Sequence, residues 1–161
     1  MQAAKDTFLM TLAARLAVVN PARTLTLDGV TRPAVLALEN EIPMPTDTEL
    51  ETFLLSWQGV AKVAPGQPLM QMECTVSYGS KGTDDLLRTD RGRILTAMDR
   101  ELLRICEPPS AAKCDYTQTP PAPLGTYIFW SAPVLEAAVG DGNGVLKRTA
   151  VIKLFFFPEV A

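Results

Sequence analysis

The chain has 161 residues, a net charge of −3, 47% hydrophobic and 20% charged residues, three cysteines and no histidine. That is enough chain for one domain burying about two thirds of the surface its unfolded form exposes, with no staple required. The balance excludes wholesale disorder, a nucleic-acid protein working through a broad basic surface, and metal sites that draw on histidine.

Cys74, Cys106 and Cys114 form no C-x-x-C pair, and their odd number argues against a secreted disulfide framework, so they read as reduced structural thiols. Residues 2–19 place Phe8, Leu9, Leu12, Leu16 and Val19 at helical spacing, with Lys5, Asp6, Thr11 and Arg15 elsewhere on the wheel. The charges inside this segment make it a surface helix rather than a signal peptide, and no run approaches the ~20 apolar residues that span a bilayer. A cytoplasmic protein is expected, with no membrane or nucleic-acid partner and no cofactor. Asn20-Pro21 stops the helix, because the residue before proline is pushed out of helical geometry.

Residues 24–27 alternate before the turn signal Asp28-Gly29, and residues 32–39 resume as a short strand through Val35, Leu36 and Leu38. The Pro-rich run over 42–48 is a connection. Residues 49–57 fit a helix face or a strand, and their β-rich neighbours favour strand. Residues 59–68, with Ala64-Pro65-Gly66, read as a loop.

The clearest signal lies at 70–78. Met70, Met72, Cys74, Val76 and Tyr78 are apolar and alternate with Gln71, Glu73, Thr75 and Ser77, which describes an antiparallel strand with one buried and one wet face. Gly79, Ser80, Lys81 and Gly82 then have the composition of a mobile loop and are a candidate partner contact. They lack the spacing of a phosphate loop. Thr83-Asp84-Asp85 and Thr89-Asp90 look like helix starts, and Asp90 there would complement the helix dipole. From 90 to 106, Ile94, Leu95, Met98, Leu102 and Ile105 share a face that must lie on the sheet, and Glu107-Pro108-Pro109 ends the helix.

Residues 114–117 suggest a short strand before the break at 120–125. Residues 126–139 and 145–158 then form a long hairpin around Gly140-Asp141-Gly142-Asn143-Gly144, a tip with too few oxygen ligands for a calcium loop. In the return strand Leu146, Ala150, Ile152, Leu154 and Phe156 point one way. Lys147, Thr149, Val151, Lys153 and Phe155 point the other. Phe155 and Phe157 thus share a face with lysines, and something should cover them. Trp130, Val151, Lys153, Phe155 and Phe157 are therefore candidate subunit-interface residues, although Trp57, Tyr127, Phe129 and Trp130 as aromatics are more often core.

Chemistry is hard to place. Asp84 and Asp85 are adjacent and cannot face one substrate from a helix. Asp99, Arg100, Glu101 and Arg104 look like surface ion pairing, and Arg88, Arg91 and Arg93 like a solvated helix start diluted by Asp84, Asp85 and Asp90. No catalytic, cofactor or metal residue is assigned, and no enzyme is expected. The expectation is a single α+β domain in two layers: an antiparallel or mixed sheet, an N-terminal helix, one main helix packed on it, and a long C-terminal β-hairpin.

In the order of these elements the chain resembles the tail terminator proteins of long-tailed bacteriophages. The helix at 2–19, the strand at 70–78 followed by the helix at 90–106, and the hairpin at 126–157 carry the resemblance, while the prolines between 108 and 123 depart from it. The resemblance implies a homo-oligomer, a hexameric ring, that caps a tail-tube protein and joins the tube to a phage head. Outside it stand a small dimeric interaction domain and a small-molecule binder using the sheet face and the loop at 108–123.

Overall fold

Two long strands, β5 (Met70–Ser80) and β10 (Leu146–Phe156), are paired antiparallel over their whole lengths, from Leu146 opposite Ser80 to Phe156 opposite Met70. The computed structural model describes residues 1–39 and 50–159, and this pair is its spine. The remaining elements in chain order are α1 (Gln2–Val19), β1 (Thr24–Leu27), β2 (Val30–Pro33), β3 (Val35–Ala37), β4 (Phe53–Lys62), α2 (Arg91–Ile105), β6 (Ser110–Asp115), β7 (Ala122–Trp130), β8 (Val134–Leu135) and β9 (Val139–Gly140).

Among the described residues the main sheet has eight strands in the order β3-β4-β5-β10-β7-β6, with β8 and β9 also paired to β10. It is mixed, because β3 runs parallel to β4 while the other pairings are antiparallel. The sheet curls into a half-barrel. The chain is an α+β fold with both helices on one sheet face, as the sequence predicts.

Alternation decides which face is covered. Met72, Cys74, Val76 and Tyr78 of β5, with Ala150, Ile152, Leu154 and Phe156 of β10, are all buried. Against them lie Ala4, Phe8, Leu12 and Leu16 of α1, one residue every four and so on one side of that helix, and Leu95, Met98, Leu102 and Ile105 of α2. Each large side chain buried there contributes about 1.5–3 kcal/mol. Phe8 sits edge-on to both Trp57 and Trp130, with ring centroids 5.9 and 5.1 Å away.

α1 also seals one sheet edge. The Cys114 N–H donates to Thr7 Oγ1 at 3.0 Å, and the Arg15 guanidinium donates to the carbonyls of Ile105, Pro108 and Ser110 at 2.8–3.2 Å. Capping of this kind keeps a strand such as β6 from pairing with another chain.

Several boundaries differ from the sequence reading. β4 continues to Lys62 through a bulge between Gln58 and Val60, where Gly59 takes a φ of +49, so the expected loop at 59–68 is only the turn at 63–69. The strand expected over 32–39 is two short strands with different partners, β2 on β1 and β3 on β4. The segment 126–139 is three strands, since β7 touches β10 only through residues 128–130 before the chain detours. β6 starts at Ser110 rather than at Cys114. The connection expected at 42–48 lies outside the described residues.

Candidate functional site

Among the described residues no helix lies on the sheet face opposite α1 and α2, and one end of that face is aromatic. On β7, Ile128 and Trp130 point into the core, so Tyr127 and Phe129 between them point outward, 55% and 46% exposed. Their rings lie 6.4 Å apart. Phe155 of β10 stands in register with Phe129 and is half-buried, and Phe157 just beyond is 38% exposed. Val151 stands opposite Val134, and the exposed Lys153 stands opposite Glu73. Four of the five expected interface residues, Val151, Lys153, Phe155 and Phe157, therefore lie on or beside one partly exposed surface.

Trp130 does not belong there. It is 4% exposed, donates from Nε1 to the Cys106 carbonyl at 2.8 Å, and lies under the Arg15 guanidinium at 5.4 Å. It is a core residue because strand alternation turns it inward. Tyr127 and Phe129, read as core from their aromatic character, are the exposed pair. The alternation with Ile128 and Trp130 was the signal that could have found them.

The expected loop is corrected as well. Gly79 and Ser80 are buried residues of β5. Ser80 Oγ donates to Glu51 Oε1 at 2.9 Å and accepts from the Gly82 N–H at 3.0 Å. Asp90 reaches back across the turn and accepts from the Thr83 N–H at 2.8 Å and the Thr83 hydroxyl at 2.6 Å. Those bonds hold its carboxyl below the ordinary carboxylate range. The side chain thus fastens the turn instead of capping α2, which has no side-chain cap.

That fastened turn presents two leucines that sequence reasoning passed over. After the one-turn 3-10 segment Asp84–Leu86, Leu87 and Arg88 adopt left-handed φ values of 49 and 62 degrees. Such geometry costs a non-glycine residue about 1–2 kcal/mol. Leu86 is 50% exposed and Leu87 86%. The turn is nevertheless built: Arg88 N–H donates to the Thr83 carbonyl at 2.9 Å, Leu87 N–H to Asp84 at 3.0 Å, and Arg88 Nε to the Asp84 carboxylate at 3.1 Å.

The polar groups of the core are engaged in structure. Asp99 is buried, against the expectation of a surface pair, and accepts from Tyr78 Oη at 2.6 Å and from Arg148 at 2.9 and 3.0 Å. Desolvation first, and the bond to Asp99 next, push the Tyr78 hydroxyl pKa well up. Glu101 binds Arg23 and accepts from Asn20 at 2.7 Å, joining α2 to the chain after α1. Lys113, 2% exposed, donates to the Phe157 carbonyl at 2.5 Å, and burial lowers its pKa. Of the basic cluster, Arg91 donates to the Gly144 carbonyl at 2.8 Å and ties α2 to the hairpin tip.

A shallow depression of about 220 Å³ lies beside Trp57, lined by Lys5, Glu39, Gln58, Gly59, Val60 and Met72. That is below the usual size of a small-molecule site, and its two charged groups, Lys5 and Glu39, are bonded to each other at 2.8 Å. Among the described residues no group of three or more His, Cys, Asp or Glu side chains is arranged to hold a metal ion, and no helix is long and apolar enough to cross a membrane. No family model matches the sequence, and no curated protein matches it.

Proposed function

We propose that the chain is a structural assembly subunit that associates with copies of itself through the sheet face opposite α1 and α2, in the manner of a phage tail terminator. One observation carries the reading: the aromatic end of that face, where Tyr127 and Phe129 stand exposed beside Phe155. Exposed aromatic area of this kind marks protein contacts, because burying it against a partner removes apolar surface from water at low cost in side-chain entropy. In this role the chain forms a ring on the end of a tail tube, and its chemistry is that of surface complementarity.

The test is light scattering on the purified chain across a concentration series, with electron microscopy of the particles. A ring or concentration-dependent oligomer that loses its association in Tyr127→Ser/Phe129→Ser, with circular dichroism unchanged, supports the reading. A chain that stays monomeric at about 100 μM, where contacts of ordinary affinity would form, overturns it.

A further inference from the structure

We infer that Lys113 is a positioning residue for the aromatic end of the sheet, holding Phe157 beside Tyr127 as part of the self-association surface. This rests on the assembly reading above and adds what keeps the chain in place where β10 ends.

Lys113 is 2% exposed, a burial that lysine rarely reaches. Strand alternation sets the direction of its side chain. On β6 the preceding residue, Ala112, is exposed on the same face as Tyr127, its partner in register, so Lys113 turns to the helix side. There β7 leaves the register. Between Ala112 opposite Tyr127 and Cys114 opposite Pro123, Lys113 alone faces residues 124–126, and Gly125 takes a φ of +71. The lysine reaches past β7 to the end of β10. Its Nζ donates to the Phe157 carbonyl at 2.5 Å and lies 3.4 Å from the Glu159 carboxylate.

The ladder between β10 and β7 stops one residue earlier, at Phe156 opposite Ile128. Continued by one residue, that register sets Phe157 opposite Tyr127 and on the face of Phe155. The lysine therefore fixes the first residue beyond the ladder, and that residue carries an exposed aromatic ring of the patch. An apolar side chain of similar length would fill the same space without desolvating an ammonium. What the ammonium adds is a fixed place for the Phe157 carbonyl.

A double-mutant cycle tests the assignment. Lys113→Met keeps the bulk of the side chain and removes the donor, so its thermal midpoint is expected to match or exceed that of the unaltered chain. Self-association, read by light scattering over a concentration series, should nevertheless weaken about 10-fold, because a freed residue must then be ordered in the contact. Phe157→Ser should weaken it at least as much. Adding Lys113→Met to Phe157→Ser should bring no further loss, since no ring remains to be placed. Losses that add, or a Lys113→Met chain that melts lower or does not fold, show a lysine that supports the fold as a whole and overturn the inference. So does either single variant that associates like the unaltered chain while Tyr127→Ser/Phe129→Ser does not, an outcome that leaves the assembly reading intact. An unaltered chain that stays monomeric overturns both.

Discussion

Arg148 of β10 and Asp99 of α2 are joined by two hydrogen bonds at 2.9 and 3.0 Å, and Tyr78 of β5 donates to the same carboxylate at 2.6 Å. Three elements thus converge on one buried carboxylate, and Arg148 also donates to the Glu136 carbonyl at 2.6 Å, fixing the detour between β8 and β9. Removing one partner leaves the other charge buried and unpaired. Arg148→Met is therefore expected to lower stability by about 3 kcal/mol in urea unfolding. Adding Asp99→Asn should restore part of that loss, because a neutral amide oxygen still accepts from Tyr78. A double variant less stable than Arg148→Met alone would contradict this account.

This carboxylate also shows what a sequence can and cannot display. The alternation at 70–78 and the apolar stripe at 94–105 fix strand, helix and facing surfaces, because periodicity is a local property. Arg148 breaks the apolar face of β10 in sequence and Asp99 falls among surface charges of α2, and only the tertiary pairing makes each explain the other. The same holds for the site. Phe155 and Phe157 were legible from their alternation with lysines, and Tyr127 and Phe129 from theirs with Ile128 and Trp130, but the exposure of Leu87 depends on a turn fastened by Asp90 from seven residues beyond Thr83.

Gly79 of the expected loop and Gly92 of α2 are different cases. A Cβ on Gly79 would stand 2.9 Å from the Leu146 backbone oxygen, inside the central strand pair, whereas one on Gly92 in α2 meets nothing within 4 Å. Gly79→Ala should cost about 1–3 kcal/mol, as overpacking does. Gly92→Ala should instead raise stability by about 0.4–1 kcal/mol by restricting the unfolded chain. Equal thermal midpoints for the two variants would show that residue 79 sits in a pliant loop after all.

The three thiols differ in access. Burial pushes the Cys74 thiol far up and the Cys106 thiol to about 12, while Cys114 on β6 is only partly buried. Since the thiolate is the reacting form, a maleimide at pH 7.5 should add once to the native chain, at Cys114, and three times after denaturation. Peptide mass mapping reads this directly, and modification of Cys74 in the native chain would mean that the core opens between β5 and the helices.

Asp90 gives the fold a pH dependence of known sign. Hydrogen bonds from Thr83 hold its carboxyl below the ordinary value of 3.8, so the folded chain takes up this proton less readily than the unfolded one. Its stabilising contribution is fully present above the unfolded pKa and is lost as pH falls through the lower folded value. Asp115 and Asp141 are lowered likewise by hydrogen bonds, from Thr117 and from the Asn143 N–H, so the unaltered chain loses stability in acid for several reasons at once. Thr83→Val keeps the backbone bond to Asp90 and removes the hydroxyl one. It should therefore flatten the fall in stability between about pH 5 and pH 2 by part of what Asp90→Asn removes. If Asp90→Asn leaves the slope of stability against pH unchanged, the carboxylate does not fasten the turn. The turn that presents Leu86 and Leu87 then lacks that anchor.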